Sequence, residues 1–269
     1  MFYSVHESQR AELTKAGWDS LDVGTEMVVN PNEWQTRGKK WQDVRTAINK
    51  AKRDGITDVL TTFKEAPFSV QTQIREISAQ WAGKKALPEM GFTLGGVDEL
   101  IDSRVRLLYA VDGNGKVLGV TSWLPTYRDG TIIGWTLDFM RHRTDSVNGI
   151  MEFLIARMAE RLRDEGNVEF MSLSAAPLAG MGSNESEHEE SEVLRHALQM
   201  VADIMEPAYG FHSLFRFKLK FHPDEEKVYI CYPDAAKLPQ ISLAVAQAYV
   251  PSLTPAEAMR FVRTIAPRD

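Results

Sequence analysis

The sequence predicts an α/β (α+β) fold in which a mixed β-sheet is flanked by helices, and three observations carry the prediction. The first is the run "RVRLLYAVDGNGKVLGVTSWLP". It holds two β-rich stretches joined by Asp112-Gly113-Asn114-Gly115, a strong hairpin signal. The second is "TIIGWTLDFM", which continues as a third strand. The third is the segment 147–165, whose Ile150, Phe153, Leu154, Met158 and Leu162 recur at helical spacing before Gly166. It is followed by "VEFMSLS", a strand apolar on both faces. Hairpin, third strand, crossover helix and next strand, in that order, suggest a mixed sheet with helices packed on it.

The remaining elements follow from the same signals. "KWQDVRTAINKAKRDG" places Trp41, Val44, Ile48 and Ala51 on one helical face, with Gly55 as the stop. "SVQTQIREISAQWAG" predicts a second helix with Val70, Ile74, Ile77 and Trp81 as its buried stripe. After the strand at 168–174, a loop over 175–190 leads to a helix near 191–206. Then come a mixed basic and aromatic segment, a strand "KVYICYP", and a last helix pair from about 238 to 264. No internal repeat or low-complexity linker interrupts this order.

Composition narrows the function classes. The 269 residues are 43% hydrophobic, enough for a substantial core. The longest apolar runs fall well short of the ~20 residues that cross a bilayer. The N-terminus "MFYSVHESQRAEL" lacks the features of a secretory signal. A single cysteine, Cys231, fits a reducing cytosol and leaves a structural zinc site unsupported, and the six histidines show no ligand spacing. The net charge of −6 argues against a protein coated in basic residues. Charge is nevertheless uneven. Arg37, Lys39, Lys40, Arg45, Lys50, Lys52 and Arg53 stand together against Asp43, and Arg216, Lys218 and Lys220 form a second cluster in "FRFKLKF". Acid concentrates in "NESEHEESE", residues 184–192.

The element order resembles the fold of the GCN5-related N-acetyltransferases. In that fold the strand-to-helix turn carries a glycine-rich R/Q-x-x-G-x-G/A loop around the pyrophosphate of acetyl-CoA. Here the turn is "RHRTDSVNGIM", with Gly149 alone, so a different donor is expected. Five separated motifs go further. "RGKKWQDVRTAINKAKRDGI", "GFTLGGVDE", "WTLDFMRHRTDSVNGIMEFLI", "MSLSAAPLAG" and "YGFHSLFRFKLKFHP" together resemble the C-terminal catalytic region of the aminoacyl-phosphatidylglycerol synthases (the MprF family), from about Gly24 to Tyr232.

The resemblance implies two tandem acetyltransferase-like subdomains, of which this chain would hold the second. Residues 1–35 would then be a remnant of, or connection to, the first, and 36–269 the catalytic subdomain with its C-terminal helices. It also implies transfer of an amino acid, lysine first and alanine next, from aminoacyl-tRNA to a hydroxyl of phosphatidylglycerol. The site would be the cytoplasmic face of the membrane, and many members carry a membrane-embedded flippase ahead of this region. No cofactor beyond aminoacyl-tRNA as co-substrate is expected, and no metal, because one ester replaces another. The same donor chemistry on a sterol or small metabolite, and a non-catalytic tRNA- or membrane-binding remnant, are the alternatives.

Asp138 and Arg141 match the family's Asp-x-x-Arg motif, which lines its catalytic centre. A carboxylate there can bind the donor's ammonium or accept the acceptor's proton, and a guanidinium can hold a phosphate. Taken alone, the same two residues read equally as a helix-cap or ion-pair arrangement. Asn148 and Gly149 either cap the following helix or offer backbone N–H groups to substrate. Lys39, Lys40, Arg45, Lys52 and Arg53 are candidates for tRNA phosphates, or a solvated helix face. Arg216, Lys218 and Lys220 alternate with aromatics, as on a strand edge or in a phosphate pocket. One departure stands out: the family's Gly-Leu-Arg before "FK.KF" is replaced by Ser213-Leu214-Phe215-Arg216. Glu152 is read as surface or cleft. Trp123, Trp135 and Phe139 are read as core rather than as a lipid cavity.

Overall fold

The structure is a computed structural model that describes residues 1–83, 95–177, 199 and 210–249. The helix expected near 191–206 and the second helix of the terminal pair lie outside the described residues, as does most of the loop from 175 to 190. Among the described residues are eight strands and six α-helices. In chain order they are β1 (Phe2–Val5), α1 (Glu7–Lys15), β2 (Asp19–Val29), α2 (Gln42–Arg53), β3 (Thr57–Thr61), α3 (Phe68–Ala82), β4 (Arg106–Val111) and β5 (Val117–Arg128). Then follow β6 (Thr131–His142), α4 (Ile150–Glu165), β7 (Phe170–Pro177), α5 (Phe211–Leu219), β8 (Asp224–Tyr232) and α6 (Leu238–Tyr249).

One sheet takes all eight strands in the order β1-β8-β2-β7-β6-β5-β4-β3. Every ladder is antiparallel except β6 with β7, and α4 is the crossover between those two. This is the mixed acetyltransferase-like sheet that the sequence predicts. Residues 1–35 contribute strands β1 and β2 to that sheet, joined by α1, with β2 lying between β8 and β7.

The β4–β5 hairpin forms at Asp112–Gly115, where the Asp112 carboxylate accepts the amides of Asn114 and Lys116, 2.9 Å each. Alternation along the strands sends neighbouring side chains to opposite faces. Leu108 and Ala110 face a core shared with α4 and α2, and Leu107 and Tyr109 face one shared with α3. Helix α4 buries nine side chains, among them Phe153, Leu154, Ile155 and Leu162. Full burial of each large one is worth about 1.5–3 kcal/mol, which makes this helix the main clamp on its face. It stops where Gly166 turns left-handed (φ 66°) and returns its amide to the Leu162 carbonyl. Trp123 and Phe139 are at most 1% exposed, and Trp135 is also buried. All three are core residues.

Two irregularities shape the centre of the sheet. Along β5 and β6 the register moves from Thr121↔Met140 to Trp123↔Leu137, so β6 carries one extra residue. The amide of Phe139 donates to Ser122 Oγ (3.1 Å) instead of to a ladder carbonyl. Along β2 and β7 the register moves from Val28↔Ser172 to Glu26↔Ala175, which puts the extra residue on β7. Ser174 there has φ 67°. The β6–β7 ladder runs only through Gly134–Thr136 and Phe170–Ser172. Just beyond it, Ser174 Oγ donates to the Leu137 carbonyl, a side chain standing where a ladder bond would be.

Candidate active site

Residues three apart in a regular strand point to opposite faces. The extra residue in β6 cancels that, and Asp138 and Arg141 both meet the backbone of Gly95. Gly95 is so close that a Cβ on it would lie 1.9 Å from Asp138 Oδ2 and 2.5 Å from its Cγ. Only glycine fits there. Arg141 Nη2 donates to the Gly95 carbonyl (3.4 Å), and Nη1 to the hydroxyl and carbonyl of Ser78 on α3. The guanidinium carbon lies 4.2 Å from the ring centroid of Trp81 and 4.5 Å from that of Phe139. Arg141 is 4% exposed. Neither residue caps a helix; both are interior to β6.

Asp138 Oδ2 is buried with no hydrogen-bond partner. Burial, with Glu99 adding repulsion, pushes the Asp138 carboxyl up from 3.8 to about 6, and the Gly95 amide only partly opposes this. A carboxylate so placed binds a proton far more readily than an ordinary aspartate, and can take one from a hydroxyl near neutral pH. Glu99 opens the short 3-10 turn Glu99–Ile101 and accepts the Gly96 amide at 2.8 Å.

Lys218 stands at the other irregularity. The basic and aromatic alternation of "FRFKLKF" forms no strand edge: it is the last part of α5. A helical period separates the three cations. Arg216 is exposed, Lys220 donates to Glu152 on α4 (2.8 Å), and Lys218 is 3% exposed. Lys218 Nζ donates to the carbonyls of Ser174 and Ala175, 3.1 Å each. Burial pushes the Lys218 ammonium down to about 7, and Glu26 pulls it back up. Thus Lys218 belongs to the end of β7 and Lys220 to the first turn of α4.

The other sequence candidates are placed as follows. Asn148 is exposed and no side chain caps α4; its N-cap is Gly149, at φ 90°. A Cβ at Gly149 would lie 2.9 Å from that of Ala47, so this glycine lets α2 approach the turn. Arg45 is turned inward, donating to the carbonyls of Thr36 and Gly38 and fixing the approach to α2. Lys39 and Lys40 are exposed on the 3-10 turn Lys39–Trp41, and Lys52 and Arg53 line a shallow groove on α2 with Thr46 and Asn49. Helix α2 packs on α4, whereas the Asp138–Arg141 pair lies on the α3 side. The structure therefore does not bring the basic helix together with that pair.

Sequence reasoning gave no role to Gly95, Ser78, Glu99, Glu26, Ser172 or Ser174, and read Trp81 as part of the buried stripe of α3, where it is instead half-buried under the Arg141 guanidinium. Two signals were available: a Gly-Gly pair outside any hairpin, and a glutamate inside the apolar run "TEMVV". Among the described residues no group of three or more His, Cys, Asp or Glu is arranged to hold a metal ion, and no helix is long and apolar enough to cross a membrane.

Comparison with known proteins identifies the family and the fold. The family described as phosphatidylglycerol lysyltransferase, C-terminal, matches residues 1–232. An uncharacterized protein of Corynebacterium glutamicum is 41% identical over 249 residues, covering 93% of this chain and 31% of that protein. The phosphatidylglycerol lysyltransferase of Bacillus subtilis is 29% identical over 238 residues, covering 86% of this chain and 26% of that one. Among solved structures, L-PGS from Bacillus licheniformis superposes with a TM-score of 0.72 at 24% identity, covering 92% of this chain and 72% of that one. The C-terminal domain of a putative lysylphosphatidylglycerol synthetase from Agrobacterium fabrum gives 0.71 at 24%, with 92% and 71% covered, and both confirm the fold. This chain thus spans about a third or less of the length of these curated relatives. It belongs to the family of phosphatidylglycerol lysyltransferase C-terminal domains.

Proposed function

We propose that this chain transfers an aminoacyl group, lysine first and alanine next, from aminoacyl-tRNA to a hydroxyl of phosphatidylglycerol at the inner face of the membrane. The observation that carries this is the convergence of a buried, proton-avid Asp138 and a buried Arg141 on Gly95, beside the point where β6 and β7 separate. The family to which the chain belongs supports the substrate class. Asp138 accepts the proton of the acceptor hydroxyl as its oxygen attacks the aminoacyl carbonyl. The bond to the tRNA ribose oxygen breaks, and that oxygen leaves with the proton that Asp138 took from the acceptor, which returns the carboxylate to its starting form. Arg141 supplies a fixed positive charge for the developing oxyanion, and Lys218, in its protonated form, a second cation for the lipid phosphate. Lys39, Lys40, Lys52 and Arg53 hold tRNA phosphates at the outer face of α2. Ester for ester is close to thermoneutral, so the protein's contribution is positioning and charge.

The test is incubation of the purified chain with lysyl-tRNA carrying a radiolabelled lysine and vesicles containing phosphatidylglycerol. Label in the organic phase that disappears when phosphatidylethanolamine replaces phosphatidylglycerol supports the proposal. Label in a water-soluble ester identifies another acceptor. No transfer from either lysyl- or alanyl-tRNA contradicts the proposed reaction.

A further inference from the structure

Glu26 is a charged residue in the middle of the sheet, on β2 between β8 and β7, and its side chain is only 13% exposed. Such a carboxylate is costly unless paired. It is paired twice: Ser172 Oγ of β7 donates to it, and His6 Nε2 lies 3.0 Å away. Burial pushes the Glu26 carboxyl up, but the bonds from His6 and Ser172 outweigh this and hold it below the usual range. His6 in turn is raised, chiefly by its bond to Glu26.

From Ser172 the contacts continue. Ser172 Oγ accepts the amide of Ser174 (2.9 Å), Ser174 Oγ donates to the carbonyl of Leu137, and the next residue along β6 is Asp138. The carbonyls of Ser174 and Ala175 hold Lys218. From the β1–α1 junction comes His6, and from β8 comes Glu226, 3.6 Å from His6 Nδ1. Lys227 on β8 pairs with Asp22 on β2 (3.0 Å). On α5 Arg216 is exposed, and just past its end Lys220 is taken by Glu152. Burial lowers Lys218, and the negative charge of Glu26 opposes that shift.

We infer that Glu26 is a positioning residue of the transfer site: through Ser172 it fixes the left-handed turn at Ser174 that ends the β6–β7 ladder, and with it the carbonyls of Ser174 and Ala175 that hold Lys218. This rests on the function proposed above for the site, but the coupling of Glu26 to Lys218 is testable without turnover. Glu26→Gln retains an acceptor for Ser172 and removes the charge. In protein labelled with ε-13C lysine, the Lys218 resonance, assigned by its loss in Lys218→Arg, reports that ammonium alone. In Glu26→Gln its midpoint falls by about half a pH unit or more. An unmoved midpoint overturns the inference.

Transfer rates supply the second arm. The alkaline limb of the parent's pH profile moves to lower pH in Glu26→Gln, returns toward the parent in Glu26→Asp, and moves up in Lys218→Arg. An active parent whose profile is unchanged in Glu26→Gln overturns the positioning role even if the resonance shifts. An inactive parent counts against the proposed function instead, and the resonance then decides the coupling by itself.

Discussion

Asp138→Asn is expected to stabilise the protein at neutral pH while removing transfer. The carboxyl is raised from 3.8 to about 6 by burial and by Glu99. A raised acid gives stability that is complete below the unfolded value and is lost as pH rises through the folded one. Between about pH 4 and 6, then, the parent loses stability that the asparagine variant keeps. At about 1.4 kcal/mol per pH unit the carboxylate costs up to about 3 kcal/mol at pH 7. Asparagine leaves an amide where Oδ2 already lacks a partner, which takes back about 1 kcal/mol and leaves about 2. Urea unfolding of both proteins at pH 4, 5, 6, 7 and 8 measures this. The gap is expected to open between pH 4 and 6 and stay constant above 7. A gap independent of pH, or a variant less stable at pH 8, refutes the idea that the fold holds Asp138 at a cost.

Gly95→Ala forces a Cβ into Asp138 and is expected to lose about 1–3 kcal/mol and most transfer. Gly96→Ala meets only the mobile end of Glu99, at 3.0 Å, and loses less in both denaturant midpoint and rate. Lys52→Ala with Arg53→Ala is expected to raise KM for charged tRNA and to reduce the salt dependence of its binding by a log–log slope of about 1–2, with the unfolding midpoint unchanged. Asp58, 8% exposed, bridges β3 to Arg157 (2.8 Å) and Arg161 on α4. Asp58→Ala leaves Arg157 to Glu160 and takes the carboxylate from Arg161, and is expected to cost about 1–3 kcal/mol in urea unfolding, with little change in KM.

The order of strands and helices was legible because each element carries its own local signal. Asp112 with two glycines makes the hairpin, Gly166 stops α4, and the apolar spacing of α2, α3 and α4 marks most of their buried faces, with Ile48 and Trp81 only half-buried. The segment "FRFKLKF" misled because its period-two alternation fits a strand, whereas in the helix Phe211–Leu219 residues two apart point to different sides, which leaves Arg216 exposed and Lys218 buried. Asp138 and Arg141 were found through a motif. Their meeting at Gly95 was not visible, because it depends on a one-residue bulge in β6 and on a contact across more than forty residues. The links from Glu26 to Lys218 were hidden for the same reason: each residue lies on a different element, and only the register of β2 with β7 brings them together. Local sequence sets elements, and irregular register sets sites.

The measurement that tests the central claim most directly is single-turnover transfer of radiolabelled lysine from lysyl-tRNA to phosphatidylglycerol by the parent, Asp138→Asn and Arg141→Lys side by side. The account predicts labelled lipid from the parent and a rate lower by about a hundredfold or more in each variant. Arg141→Lys keeps the charge but not the fork that holds Ser78 and Gly95. Labelled lipid formed at the parent's rate by Asp138→Asn, in a protein shown by urea unfolding to be folded, would contradict the claim that this aspartate carries the reaction.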